Sequence, residues 1–258
     1  MSIPLSFITL SLLLSMQAVA QVNTEKLRSS DSGRGLAVSV SAATGLVRGN
    51  SEYFSFTASG RSDLMLDESY HFLVASYDMR ESGEGKISNK GFAHLRTMWN
   101  VRKNLILEGF TQLQYDQFIL LKQRTLAGSG VRLGIPLAGD SSGGDALQIF
   151  VGVGAMYEHE LYGADERDVV FHRLRSTNYL SLIYSLDTRV TLSTVAYAQP
   201  LFDEPANHRF VLEASVMVRL TTFLALHVDV AWNYNSHPVG NIRRYDLELS
   251  NGVSLTIR

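Results

Sequence analysis

The sequence predicts an all-β protein: a transmembrane, antiparallel, up-and-down β-barrel of about twelve strands that follows a cleaved signal peptide. Three observations point there. In Phe223–Asn235, Leu224, Leu226, Val228, Val230, Trp232 and Tyr234 alternate with His227, Asp229, Ala231, Asn233 and Asn235. Successive strand side chains point to opposite faces, so this segment has one apolar face and one largely polar face. It is longer than the average strand of a soluble sandwich and long enough to cross a bilayer at a tilt. Segments of this kind recur about every twenty residues from Gly35 onward. No run of 18 apolar residues follows the N-terminal stretch, and mean hydropathy is +0.02, which suits a barrel with a polar lumen.

In chain order, Met1–Ala20 holds an apolar stretch around Phe7–Leu14 and then Ala18-Val19-Ala20, the small-x-small pattern of a secretory cleavage site, although no Lys or Arg precedes it. Residues 21–34 are polar and aperiodic, and are expected to be a periplasmic lead-in. The barrel is expected over 35–258, in segments at about 35–46, 50–61, 69–80, 90–101, 104–116, 121–134, 146–159, 169–185, 188–199, 208–220, 222–235 and 243–257. In the fifth, Leu105, Leu107, Leu113 and Tyr115 oppose Glu108, Gln112, Gln114 and Asp116. In the seventh, Leu147, Ile149, Val151, Val153 and Tyr157 oppose Gln148, Gly152, Gly154 and Glu158. In the tenth, Phe210, Leu212, Val216, Val218 and Leu220 oppose Glu213, Ser215 and Arg219. In the first, third, eighth and ninth the two faces could be exchanged.

With both termini periplasmic, even-to-odd connections should be the shorter set. Val101–Asn104, Leu186-Asp187 and Thr221 fit; Ser62–Glu68 and Pro136–Asp145 do not. Glu81–Asn89, Glu160–Asp168, Pro200–Asn207 and Ser236–Ile242 read as the longer, outer connections. Asn251-Gly252 is a hairpin signature. A turn there would leave arms too short to span, so an unbroken last strand is expected, with Asn251 toward lipid.

The chain has 258 residues, a formal net charge of −2 and no cysteine. That excludes a disulfide, a lipid-acylated cysteine and a thiolate site, and the charge balance argues against a nucleic-acid partner.

Val22–Arg28, the first strand after it, Gly45 and Gly49-Asn50-Ser51 together resemble the domain-of-unknown-function family 481, the YdiY-like, salt-induced outer-membrane proteins of Gram-negative bacteria. The resemblance implies an outer-membrane barrel with no assigned activity and no catalytic residues. Its partners would be outer-membrane lipid, lipopolysaccharide and the barrel-assembly machinery. The ending Leu255-Thr256-Ile257-Arg258 departs from the aromatic C-terminus usual in such barrels.

The lumen face is expected to collect His94, Arg96, Glu108, Asp116, Lys122, Arg124, Arg132, Glu213, Arg219, His227, Asp229, Asp246 and Glu248. These charges serve either a solute-filtering passage, porin-like and narrow, or a closed lumen whose charges pair with one another. His227, Asp229 and Glu213 could form a metal or general-base site, but cross-strand satisfaction of polar groups accounts for them more simply. Ser236-His237 could suggest a lipid hydrolase. Adjacent side chains on an extended chain point apart, and the His-x-Ser-Asn-Gly motif of the outer-membrane phospholipase is absent. No enzymatic activity, cofactor or metal is expected. Trp99, Tyr115, Tyr157, Trp232, Tyr234 and Tyr245 are expected to anchor the barrel at the membrane interfaces.

Overall fold

The structure, a computed structural model, describes residues 35–48, 52–83, 85–135, 146–163 and 168–255. The expected signal peptide and lead-in, the 136–145 connection and the last three residues lie outside the described residues.

The fold is a twelve-stranded antiparallel sheet whose spatial order is its sequence order: β1 (Gly35–Val47), β2 (Tyr53–Met65), β3 (Ser69–Ser82), β4 (Gly85–Arg102), β5 (Leu105–Asp116), β6 (Leu121–Ile135), β7 (Ala146–Gly163), β8 (Asp168–Ser185), β9 (Val190–Pro200), β10 (His208–Arg219), β11 (Leu224–Asn235) and β12 (Tyr245–Leu255). Each strand pairs with the next, as short connections between antiparallel neighbours require. The order has two ends, β1 and β12, and no ladder joins them among the described residues. The odd-to-even connections define what is called here the distal end, and the even-to-odd connections the proximal end.

Side chains on one face meet across strands that are not neighbours. Tyr179 on β8 donates to Glu108 on β5 at 2.7 Å, and Arg209 on β10 reaches Glu158 on β7 at 3.1 Å. Arg96 on β4 hydrogen-bonds Tyr197 on β9. A flat sheet would hold these residues several strand spacings of about 4.8 Å apart, so the sheet curls strongly around this face. The inner face is polar and charged, with apolar rings among the charges. The outer face exposes Val40, Leu73, Leu107, Leu113, Val153, Leu174, Leu180, Leu212, Val228 and Leu249. A soluble protein buries such residues, so inside and outside are exchanged relative to a water-facing fold.

Strand ends differ from expectation where polar residues continue a strand. β2 runs through Arg61 and Asp63 to Met65, so the connection expected over Ser62–Glu68 shrinks to 66–68, closed by the Leu66 N–H to Ser69 carbonyl bond of 2.9 Å. β3 and β4 extend to Ser82 and from Gly85, which removes most of the loop expected over Glu81–Asn89. The length asymmetry of the connections therefore persists mainly at 201–207 and 236–244. Between β5 and β6 a single 3-10 turn, Gln117–Ile119, is capped by the Asp116 carboxylate accepting from the Phe118 N–H at 2.9 Å.

β12 passes through Asn251-Gly252 without interruption or register shift; Asn251 pairs with Val228 and is exposed on the outer face. Gly252 sits under the His227 ring, where a Cβ would come within 2.8 Å of the imidazole. The hairpin signature is thus overridden by a full-length partner strand, and the glycine answers to close approach instead. Gly152 on β7 lies in the same way under the ring of Tyr179.

Candidate functional site

The inner face carries the chemistry, in two charged layers joined by a polar ladder. The distal layer comes from β6, β7, β8 and β10. Glu158 binds Arg124, accepts from Arg175 Nε at 2.7 Å, and accepts from Arg209 Nη1 at 3.1 Å. Glu160 accepts from Arg209 Nη2 at 2.7 Å and lies 3.5 Å from both Arg124 Nε and Arg173 Nη1. Arg175 also donates to the Gln199 and Asn207 carbonyls and to Asn207 Oδ1, at 3.1–3.2 Å. Four guanidiniums therefore share two carboxylates. The i, i+2 spacing of Glu158 with Glu160 and of Arg173 with Arg175 puts each pair on one face, and the β7–β8 register sets the two pairs side by side.

Toward the proximal end, Arg124 donates to Gln114, Gln112 donates to Gln114, and His94 meets Gln112 at 3.2 Å. His94 is stacked among Phe72, Phe92 and Phe110. The second layer follows. Glu108 lies 3.7 Å from Arg96 and 3.8 Å from Arg132, and accepts the Tyr179 hydroxyl proton. The Arg132 guanidinium stands 3.8 Å over the Phe150 ring. On β2 and β3, Arg61 forks onto Asp63, with Tyr70 bonded to both. Arg132, Arg175, Glu158 and Glu160 are each 0% exposed. At both layers these side chains pack against one another on the inner face, and buried charges of this kind persist only when paired.

Distal to this stack lies a cavity of about 380 Å³, floored by Arg124, Glu160 and Arg209 and walled by Lys90, Asp116, Asp246 and Glu248.

Of the expected lumen residues, Glu108 and Arg132 join the second layer and Arg124 the distal one, while Asp116, Asp246 and Glu248 line the cavity. Glu213 is buried on the inner face of β10, and Arg219 is half-buried at that strand's proximal end. His227 meets Asp229 at 2.7 Å, and Asp229 also accepts from Ser215 at 2.6 Å. Among the described residues no three His, Asp or Glu side chains converge as metal ligands do.

Lys122 corrects the sequence reading. A register shift between Leu121 and Gln123 breaks the alternation. Its side chain is 54% exposed at the distal rim, where it pairs with Asp168 at 2.6 Å. Lys122 and Arg124 therefore do not share the lumen.

Ser236 and His237 require a second correction, because their side chains do meet: Ser236 Oγ is 2.9 Å from His237 Nδ1. The same hydroxyl donates to the Ala206 carbonyl at 3.0 Å and accepts the His208 N–H at 2.8 Å. The hydroxyl is thus engaged at once with the Ala206 carbonyl, the His208 N–H and His237, a set of contacts that joins backbone groups of two connections. The pair staples the 201–207 and 236–244 connections together.

The aromatics lie on the outer face near strand ends. Tyr115, Tyr157, Trp232, Tyr234 and Tyr245 are distal, with Tyr157 bonded to His172 at 2.7 Å and Tyr234 stacked on Trp232 and His208. Trp99 is proximal, edge-on to His71. Sequence reasoning missed Arg61, Glu160, Arg173, Arg175 and Arg209 as lumen charges. Their alternation with outward Leu and Phe residues was the available signal, but their partnerships depend on the curl of the sheet.

No curated protein matches the chain. Among solved structures, the porin KdgM in complex with disordered oligogalacturonate is similar at 9% identity and a TM-score of 0.41, covering 87% of this chain and 100% of that one. The family model described as "Protein of unknown function, DUF481" matches residues 40–256. The chain belongs to that family.

Proposed function

We propose that the protein is an outer-membrane barrel with a closed, salt-bridged lumen beneath a distal vestibule, and that it serves the envelope structurally and not as an open pore. The observation that carries this reading is the complete burial of Arg132, Arg175, Glu158 and Glu160 on the inner face. In a water-filled passage such groups line the wall and stay accessible; here Glu158, Glu160 and Arg175 are engaged with neighbouring side chains and, for Arg175, backbone carbonyls, and Arg132 packs between Glu108 and the Phe150 ring. The membrane assignment is supported by the exposed apolar outer face with aromatics at both ends. Outer-membrane lipid and lipopolysaccharide would contact that face, and insertion would use the barrel-assembly machinery. Because a lipid-exposed strand edge carries unsatisfied backbone groups, the seam between β1 and β12 is closed in the bilayer. An enzymatic role gains no support from Ser236, whose hydroxyl joins the Ala206 carbonyl and the His208 N–H of the neighbouring connection.

A narrow passage is the second reading, favoured by the cavity of about 380 Å³ that opens onto the distal charge layer. Liposome swelling with small sugars and amino acids separates the two. The closed lumen gives no swelling above protein-free vesicles, and size-dependent swelling supports the passage.

A further inference from the structure

Outside the lumen, β7 and β8 place two histidines directly opposite each other on the outer face. His159 pairs with His172 in the ladder, so both rings project from the same side of the sheet. The ring centroids are 4.7 Å apart and the two Nδ1 atoms 3.4 Å apart. Tyr157, two residues before His159 on the same face, reaches His172 Nδ1 with its hydroxyl at 2.7 Å. His172 and Tyr157 are exposed and His159 half-buried, and all three lie near the distal strand ends, level with the aromatics of the membrane–water boundary, where a small ion reaches them from the distal side.

From this arrangement we infer that His159 and His172 form a cross-strand binding site for a borderline first-row divalent cation such as Zn²⁺. The spacing fits the metal better than it fits a hydrogen bond. Two nitrogens held about 2.0–2.1 Å from a tetrahedral Zn²⁺ lie about 3.3–3.4 Å apart. A direct N–H···N bond would draw them closer, to about 3 Å. The tautomer is also favourable. A tyrosine hydroxyl donating to His172 Nδ1 needs the lone pair on that nitrogen, the same lone pair a metal takes. Zn²⁺ would replace the hydroxyl proton as the acceptor of that lone pair while Tyr157 swings aside. Imidazole nitrogens select Zn²⁺, Cu²⁺ or Ni²⁺ over Mg²⁺ and Ca²⁺, which prefer oxygen. With two protein ligands, the remaining positions are filled by solvent oxygen. The clip would tie β7 to β8 near their distal ends.

The test uses the full chain folded in detergent, with folding verified by its gel shift on boiling, and Zn²⁺ alone as the probe in titration calorimetry. One Zn²⁺ per chain is expected, with affinity falling roughly tenfold or more in His159→Ala and in His172→Ala, and unchanged in the control His208→Ala. Ca²⁺ should not compete. A second reading is electron paramagnetic resonance of bound Cu²⁺, where coupling to two imidazole nitrogens is expected and should drop to one in either variant. Absence of binding to the folded parent overturns the inference. So does undiminished binding in the folded His159→Ala/His172→Ala double variant, which would place the metal at another histidine.

Discussion

Glu158→Gln offers the sharpest perturbation of the lumen. The change preserves shape but removes one of two carboxylates that hold four guanidiniums: Glu158 meets Arg124, Arg175 and Arg209 directly, and Glu160 is left with Arg124, Arg173 and Arg209. Arg175 keeps its two backbone carbonyls and Asn207 but loses its only described carboxylate partner. Removing one partner from a buried ion pair costs about 3–5 kcal/mol, because the surviving charge stays buried; the remaining amide and carbonyl acceptors place the expected loss near the low end, about 3 kcal/mol. The assay is urea unfolding of the folded barrel in lipid vesicles, followed by the fluorescence of Trp99 and Trp232. Exposed ion pairs contribute about 0–1 kcal/mol. A Glu158→Gln loss below about 1 kcal/mol would therefore show that water reaches the cluster, and the reasoning from burial would fail.

Further outcomes follow from other parts of the barrel. Lys122→Ala, which removes an exposed rim pair with Asp168, should cost no more than about 1 kcal/mol in the same assay; a larger loss would mean that the rim pair is held in place by more than the described contact. Arg at Val228 or Val230 on the outer face should cost about 2–4 kcal/mol in lipid, and Arg at Asn233 on the inner face less; equal losses would reverse the assignment of faces. Gly252→Val should destabilise the barrel by about 1–3 kcal/mol by driving a side chain into the His227 ring, and a neutral result would show that β12 pairs in another register. In the β8–β9 connection, the N–H groups of Arg189 and Val190 donate to Asp187 and hold its carboxyl below the usual aspartate range. A lowered folded value means that this turn's contribution is present above the ordinary carboxylate range and is lost as pH falls through the lower folded value. Protection of the Val190 amide from hydrogen exchange should therefore fall in acid in the parent and be pH-independent in Asp187→Ala. Protection that is equally acid-sensitive in the variant would assign the effect to another group.

The strands were legible because two-residue periodicity survives any tertiary detail: β5, β7, β10 and β11 each present the faces read from their residues. Strand ends were not, because hairpins that continue beyond the apolar band are polar on both faces, as at Glu81–Asn89, and look like loops. Lys122 was misplaced by a one-residue bulge, which breaks the alternation at Lys122 while Arg124 and Arg132 beyond it keep the expected inner face, and which has no signature in local composition. The partnerships in the lumen were invisible for a different reason. Glu108 with Tyr179 and Glu158 with Arg209 are separated by 71 and 51 residues and by three strands, so which charges meet is decided by the curvature of the sheet. Ser236 and His237 met despite their adjacency because the backbone leaves the extended conformation after Asn235, where β11 ends.

The central claim is that paired charge closes the lumen, and ionic conductance in a planar bilayer tests it most directly. Folded protein inserted into the bilayer and held over a range of voltages of both signs should produce no stepwise current. Reproducible unitary steps from protein whose folding is verified by its gel shift on boiling would contradict the closed lumen and establish a passage through the Arg132 and Arg175 layers.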